Sequence, residues 1–469
     1  TTAGLVQWLR AGGHVTGTVI VGRDARHGSE DFCAAAAGVL AAAGFNTSVL
    51  PGPLPTPVLA FAVRSLGAVA GVQITASHNP SADNGYKLYV ASGGQIVPPV
   101  DRQIEAAIRQ VPAAISVPRD GVADELDESI LESYWDTVAK LPHGTARDLR
   151  IALSPMHGVG GATCVEALRR AGFTDVRVVP EQAVPDPDFA TVEFPNPEEP
   201  GAADLLLSLA ESCDADLAIA LDPDADRCAL GVRDGDRLRM LRGDETGALL
   251  GQHVLSTADT ADPLVATTIV SSSLLRSIAE EHAARYDETL TGFKWLVRAG
   301  DGEGTGLVFA YEEALGICVD PDSVRDKDGI SAAVLAADLA ATSKAAGRTL
   351  LDVLDDIYAR HGVHLTEQIS LRLTELPRIA AIMARLRAGP PSTLDGTAIT
   401  TEDLLPRTDA LRFTGHGLRI VVRPSGTEPK IKAYLEVVEP ATEDVASARQ
   451  HASGRLARLS DEMSATLEV

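Results

Sequence analysis

The sequence predicts an α/β protein of several domains, and three observations carry that reading. Short apolar runs alternate with helix-prone stretches through most of the chain, 469 residues are too many for one core, and 45% hydrophobic with 23% charged content is the composition of a folded globular protein. Domains of roughly 100 to 200 residues give three or four.

Val19-Ile20-Val21-Gly22 is an apolar run ending in glycine, and the alanine-rich stretch from Asp31 to Ala43 follows it, which reads as strand, loop, helix. The pattern recurs. Ile151-Ala152-Leu153 leads through His157-Gly158-Val159-Gly160-Gly161 into a helix-prone stretch from Ala162 to Ala171. Leu217-Ala218-Ile219-Ala220-Leu221 leads into an aspartate-rich loop, and the run from Leu264 to Val270 leads into Ser271-Ser272-Ser273 and another helix. Strands alternating with helices predict largely parallel, doubly wound sheets, which bind ligands at the carboxyl ends of their strands. Candidate linkers at Leu141-Pro142-His143-Gly144, at 257–263 and at 362–366 divide the chain into units of 1–143, 144–257, 258–364 and 365–469. Three similar α/β units followed by a smaller α+β unit fit the pattern, although no sequence repeat relates them.

Against 41 basic residues stand 65 acidic ones, a formal charge of -24. Such a chain is not expected to bind nucleic acid or an anionic membrane, because both are polyanions. An anionic substrate must be drawn by local positive loops. Lysine is scarce, with seven in all, and Lys87, Lys294, Lys327, Lys430 and Lys432 fall in or beside candidate site loops. Five cysteines, Cys33, Cys164, Cys213, Cys228 and Cys318, are odd in number and lack C-x-x-C spacing, which points away from a disulfide framework and toward the cytoplasm. No apolar run approaches the roughly 20 residues needed to span a bilayer.

Three loops carry chemistry. In Thr75-Ala76-Ser77-His78-Asn79-Pro80, Ser77 is a candidate phosphate carrier, because a serine ester is stable enough to persist between turnovers. No G-x-S-x-G elbow occurs, and His78 with Asn79 does not complete a hydrolase triad. Asp83-Asn84-Gly85-Tyr86-Lys87 then sets a cation ten residues on. In Asp222-Pro223-Asp224-Ala225-Asp226-Arg227, three carboxylates at alternating positions are expected to project to one side of an extended loop as an oxygen cage for magnesium. An EF-hand would need Gly and Glu where this chain has Arg227 and Arg233; a haloacid-dehalogenase phosphatase would need Thr two residues after its second Asp. Arg423-Pro424-Ser425-Gly426-Thr427 offers backbone N–H groups, hydroxyls and a guanidinium that can grip two phosphate oxygens.

With these motifs in this order, the chain resembles the α-D-phosphohexomutases, the phosphoglucomutase and phosphomannomutase enzymes, over nearly its whole length. The resemblance implies three related α/β domains and a fourth of different fold around a central cleft. It implies that Ser77 is phosphorylated, that His78 and Lys87 assist proton transfer or bind phosphate, and that Asp222, Asp224 and Asp226 hold Mg2+ together with the Ser77 phosphate, beside Arg227. The loop from Arg423 through Ser425, Gly426 and Thr427 would grip the non-reacting phosphate. In Tyr311-Glu312-Glu313-Ala314-Leu315-Gly316, Glu312 matches the family's hydroxyl-reading Glu, but Ala314 replaces a serine two residues on, as in the phosphopentomutase branch. Gly292 and Lys294, with Trp295, match a second specificity loop, and Arg23-Asp24-Ala25-Arg26 a site-edge loop. The family's G-T-A/S-G-x-R loop should lie about fifty residues before Gly22; Thr2-Ala3-Gly4-Leu5 is too close and lacks the arginine, so this chain is expected to lack the first strand and that arginine loop.

The function implied is a magnesium-dependent mutase for 1- and 6-phosphates of glucose or mannose, working through a sugar bisphosphate that also serves as activator. Alternatives are a phosphopentomutase or sugar-bisphosphate synthase, a metal-dependent sugar phosphatase, and a non-catalytic sugar-phosphate binder. Oligomeric state is not legible in the sequence.

Overall fold

In the computed structural model, residues 1–373, 376–425, 429–442 and 444–468 are described. Sequence hydrophobicity fixes the first layer. Val19 and Val21 of strand β1 (Thr18–Arg23) pack with Cys33, Ala36 and Leu40 of one helix, while Ile20 between them packs with Val58 and Leu59 of another on the opposite face. The apolar run at the centre of this strand is thus buried on both faces, as a helix-covered parallel strand must be.

The first domain has helices α1 (Thr2–Ala11), α2 (Ser29–Ala42), α3 (Thr56–Ser65), α4 (Val100–Gln110) and α5 (Ser129–Val138). Its sheet adds β2 (Asn46–Val49), β3 (Ala70–Ile74), β4 (Tyr86–Val90) and β5 (Asp124–Glu125) in the order β4-β3-β1-β2-β5, with only β4 antiparallel. The second domain repeats the plan. Strands β6 (Arg150–Ser154), β7 (Asp175–Val178), β8 (Leu217–Leu221), β9 (Cys228–Asp234) and β10 (Arg237–Met240) order as β10-β9-β8-β6-β7, with α6 (Gly160–Arg170) and α7 (Asp204–Ser212) beside them. The third contains α8 (Gly243–Thr257), β11 (Leu264–Thr268), α9 (Leu274–Glu281), β12 (Arg285–Thr289), α10 (Phe293–Leu296), β13 (Leu307–Glu312), β14 (Gly316–Cys318), α11 (Gly329–Ala345) and α12 (Leu350–His361), with sheet order β12-β11-β13-β14.

The fourth domain is different. After β15 (Val363–Arg372), α13 (Leu376–Ala388) and a ribbon of β16 (Thr393–Leu394) with β17 (Thr397–Ala398), it runs through β18 (Thr400–Asp403), β19 (Leu411–Gly415), β20 (Leu418–Pro424), β21 (Lys430–Glu439) and α14 (Val445–Glu468). The described sheet, β15-β21-β20-β19-β18, is wholly antiparallel.

One expectation is corrected. Residues 363–366 are not a linker: they open β15, paired with β21 from Val363↔Glu439 onward, a tertiary pairing that local composition does not signal. Thr2-Ala3-Gly4-Leu5 lies inside α1, whose Leu5, Val6 and Leu9 are buried against the first domain's core.

Helix α11 ties the domains together. It is buried along nearly its whole length, and its alanines let neighbouring elements approach closely. Ile330 and Val334 are fully buried, each contributing about 1.5–3 kcal/mol of transfer free energy. Asp328 caps it, accepting from the Ile330 and Ser331 amides and from the Tyr134 hydroxyl of the first domain. One continuous apolar cluster joins residues of all four domains, among them Leu59, Leu217, Phe309 and Ile420. Among the described residues no helix is long and apolar enough to cross a membrane, and the five cysteines are free thiols.

Candidate active site

The serine loop leaves the carboxyl end of β3, with Ser77 in a left-handed backbone conformation at φ 53°. Such a conformation costs a non-glycine residue about 1–2 kcal/mol and must be held by its surroundings. Arg26 holds it. Its guanidinium donates to the carbonyls of Ser77 (2.7 Å), Asn79 (2.6 Å), Pro80 (2.6 Å) and Asp83 (3.4 Å), and buried Asp24 pairs with it at 3.2 Å. One side chain thereby gathers the loop that presents the serine. Arg26→Lys, which cannot reach all four carbonyls, is expected to lower turnover about tenfold or more while the melting temperature moves little, as kcat beside a thermal melt will show.

The aspartate loop leaves β8 and turns back into β9. It is not extended, as its alternating residues led us to expect: Ala225 is left-handed at φ 55° and its amide donates to the Asp222 carbonyl at 2.9 Å. The turn is set by what packs on it. Gly158 lies against Pro223, and Gly329 against Arg227 and Ala225, so closely that a Cβ on either glycine would overlap the loop backbone. All three carboxylates are fully buried and offer oxygens within 4.8 Å of one another.

Their partners come from all over the sequence. Ser77 Oγ donates to Asp222 at 3.0 Å. Lys87 Nζ lies 2.6 Å from both Asp224 and Asp226, Lys327 Nζ lies 2.8 Å from Asp226, and Thr56 Oγ1 donates to Asp224 at 2.5 Å. Three buried carboxylates thus face three cations, Lys87, Lys327 and Arg227. Burial works against the charge of Lys87, but Asp224 and Asp226 outweigh it and hold the ammonium protonated. Burial would likewise raise Asp226, yet Lys327, Lys87 and Arg227 keep it below the usual carboxylate range. Asp222 goes the other way, pushed up by burial and by Asp226 and Asp224.

One oxygen each of Asp224 and Asp226 is buried without a hydrogen-bond partner. An unmatched buried carboxylate oxygen is costly. Two of them beside Asp222 and Ser77 Oγ form a hard-oxygen donor set that fits a divalent cation.

His78 Nδ1 lies 3.3 Å from Ser77 Oγ, and burial together with the nearby Arg227 charge lowers its pKa well below the ordinary value. Of the two base candidates, His78 is the one held neutral. Arg227 reaches the third domain, donating to the Ala314 carbonyl at 2.6 Å and lying 3.9 Å from Glu312 at the end of β13. Glu312 is buried and one residue from Glu313, whose pKa rises to about 7 through burial and the Glu312 charge.

Other expected residues stand outside this network. Arg23 pairs with exposed Glu30 at 3.3 Å. Gly292, at φ 108°, starts α10, on which Lys294 is half-buried with no side-chain hydrogen bond or ion pair among the described residues. Arg423 ends β20 with its guanidinium hydrogen-bonded to Tyr434, and the Ser425 amide donates to the Lys430 carbonyl at 2.8 Å. Gly426 and Thr427 lie outside the described residues. The sequence reading flagged Lys327 only as one of the scarce lysines beside candidate loops and Arg26 only within a site-edge loop, assigning neither a role, and it missed Thr56. It also missed Glu198, within electrostatic reach of Arg227, Lys432 and Glu312.

Family models described as phosphoglucomutase/phosphomannomutase alpha/beta/alpha domains I, II and III match residues 1–114, 132–235 and 242–361, and the model of the C-terminal domain matches 369–448. The chain belongs to the phosphoglucomutase/phosphomannomutase family. Within that family it is 40% identical over 444 residues to a probable phosphomannomutase of Haemophilus influenzae, covering 92% of this chain and 90% of that protein. It is 33% identical to a probable phosphoribomutase of Schizosaccharomyces pombe, covering 89% and 78%. A phosphoglucomutase/phosphomannomutase family protein of Burkholderia thailandensis superposes with a TM-score of 0.74 at 21% identity, over 97% of this chain and 92% of that one, a likeness of fold.

Proposed function

We propose that this phosphoglucomutase/phosphomannomutase family member interconverts the 1- and 6-phosphates of glucose or mannose, with phospho-Ser77 as donor and acceptor. The observation that carries the reading is Ser77, held in a forced turn with its hydroxyl 3.0 Å from a buried three-aspartate cluster. Mg2+ bound by Asp222, Asp224, Asp226 and the Ser77 phosphate would reduce charge on the transferring group. In the first transfer the bond from Ser77 Oγ to phosphorus breaks as the sugar's free hydroxyl attacks, and His78, neutral and adjacent, takes the hydroxyl proton. The product is a sugar bisphosphate. After it turns over in the cleft, the other phosphate returns to Ser77 Oγ and the proton goes back to the oxygen left behind. A dephosphorylated chain is loaded by the same bisphosphate, which is therefore the activator.

Glu312 reads neutral hydroxyls and Arg423, with Ser425, Gly426 and Thr427, grips the dianion that does not react; Lys294 and Gly292 line the second face of the sugar, and Arg23 the edge of the site. The chain acts on small sugar phosphates, not on nucleic acid or a membrane, consistent with its charge of -24. Free thiols fit a cytoplasmic setting.

A second reading, pentose 1-phosphate to 5-phosphate, is favoured by Ala314, which brings no hydroxyl, and by the likeness to the probable phosphoribomutase. Rates on glucose, mannose and ribose 1-phosphates decide between them. The same assay separates the two recognition loops. Glu312→Gln should change the ranking of the three sugars. Arg423→Ala should weaken all three alike, by about 1.5–3 kcal/mol for a lost charge-assisted hydrogen bond. If Arg423→Ala reorders the sugars and Glu312→Gln does not, the roles are reversed.

A further inference from the structure

Arg419 lies on β20 of the fourth domain, yet most of its partners belong to the third. Its guanidinium donates to Glu288 at 3.0 Å, to the Ile269 carbonyl at 3.2 Å and to the Ser271 carbonyl, and on its own domain to Glu436 at 2.9 Å. Glu436, only 2% exposed, also accepts from Ser272 Oγ and the Ser273 amide of the third domain, both at 2.7 Å, and lies 3.0 Å from His364 Nδ1. Burial would raise Glu436, but Arg419 and His364 hold it ionised. Beside this cluster Ile269 and Val270 pack on Ala410, Val421 and Tyr434, and Arg412 adds a second arginine to Glu288 at 2.5 Å.

Two connections lead from the cluster to the proposed recognition loops. Arg419 and Arg423 are four residues apart on one strand, so their side chains share a face about 13 Å apart. Tyr434, in the interface patch, is the residue Arg423 hydrogen-bonds. On the other side, Ser271, whose carbonyl Arg419 holds, donates its hydroxyl to Glu313 at 2.8 Å, next to Glu312. Behind the cluster a cavity of about 520 Å3, bordered by Ser272, His364, Thr366, Arg449 and Leu456, separates the fourth domain from its neighbours. The large apolar cluster that joins the domains is interrupted there, so on this side of the fourth domain its orientation is held by the polar cluster and the small apolar patch.

We propose that Arg419 is a positioning residue that sets the separation between the phosphate grip at Arg423 and the hydroxyl-reading Glu312. It touches no substrate itself. The idea rests on the division of labour proposed for those two residues, and it predicts that a ligand spanning both loops will need the clasp while one that fills the phosphate grip alone will not.

The test compares Arg419→Gln, Arg419→Lys and Glu288→Gln with the native enzyme, measuring kcat and KM for glucose 1-phosphate, inhibition by inorganic phosphate, and the melting temperature. For Arg419→Gln, KM should rise on the order of tenfold to a hundredfold with kcat changed far less, while inhibition by inorganic phosphate stays within about threefold. Arg419→Lys and Glu288→Gln should give smaller shifts in the same direction, and Glu288→Gln keeps the test open should Arg419→Gln not fold. An unchanged KM in folded variants overturns the proposal, as does an equal loss of glucose 1-phosphate and inorganic phosphate affinity. Failure of the underlying reading would look different, because the native enzyme would then not turn over glucose 1-phosphate.

Discussion

Ser77→Ala is expected to reduce mutase turnover by three orders of magnitude or more while sugar-phosphate affinity stays within a few-fold. In the proposed mechanism Ser77 Oγ carries phosphate between two half-reactions, and neither half would proceed without it. The substitution is otherwise mild. Alanine keeps the Cβ that serine already places at φ 53°, so the strain of the turn is unchanged, and Arg26 grips backbone carbonyls that the substitution leaves in place. Arg423 sits in another domain and loses no contact. Intact mass gives an independent readout: the native chain should gain one phosphate on incubation with glucose 1,6-bisphosphate, on the peptide bearing Ser77, and the variant none. Wild-type turnover by Ser77→Ala would end the phosphoserine mechanism.

Asp224→Asn should raise the magnesium concentration for half-maximal activity and lower kcat, together by about 2–4 kcal/mol, or roughly 30- to 1000-fold. The geometry makes this more than the loss of one charge. Asp224 Oδ2 already receives Thr56 and Lys87, so the asparagine must turn its carbonyl oxygen to those two donors. Its NH2 then occupies the place of Oδ1, the buried oxygen without a partner, and presents a donor where a cation needs an acceptor. Titration with Mg2+ after removal of metal by EDTA measures the effect. Magnesium dependence identical to the native enzyme's would show that Asp224 is not a ligand.

What could be read from the sequence was what is contiguous in it. Ser77 with His78, and the aspartates at 222, 224 and 226, are local strings whose chemistry is visible in a few residues, and alternating strands and helices announced three α/β layers. The residues that make those strings work were hidden by distance. Arg26 acts on Ser77 across 51 residues, Thr56 on Asp224 across 168, and Lys327 on Asp226 only after the third domain has docked. Conformation was hidden for another reason. Ala225 and Ser77 occupy left-handed backbone that their side chains do not advertise, because packing rather than propensity puts them there. The 362–366 segment starts with glycine and looks like a connection, but its strand character comes from β21, about seventy residues later.

The same separation governs when the site comes into being. The first domain carries within itself the serine and the arginine that shapes its loop, so Ser77 can be presented soon after that domain leaves the ribosome. Its partner Asp222 lies 145 residues further on. At about 5–20 residues per second, that interval is roughly seven to thirty seconds of synthesis, during which domains fold in turn from the N-terminus. On the proposed mechanism a nascent chain would expose a shaped but chemically silent serine, which would gain its reactivity only when the second domain brings the carboxylate cluster to it.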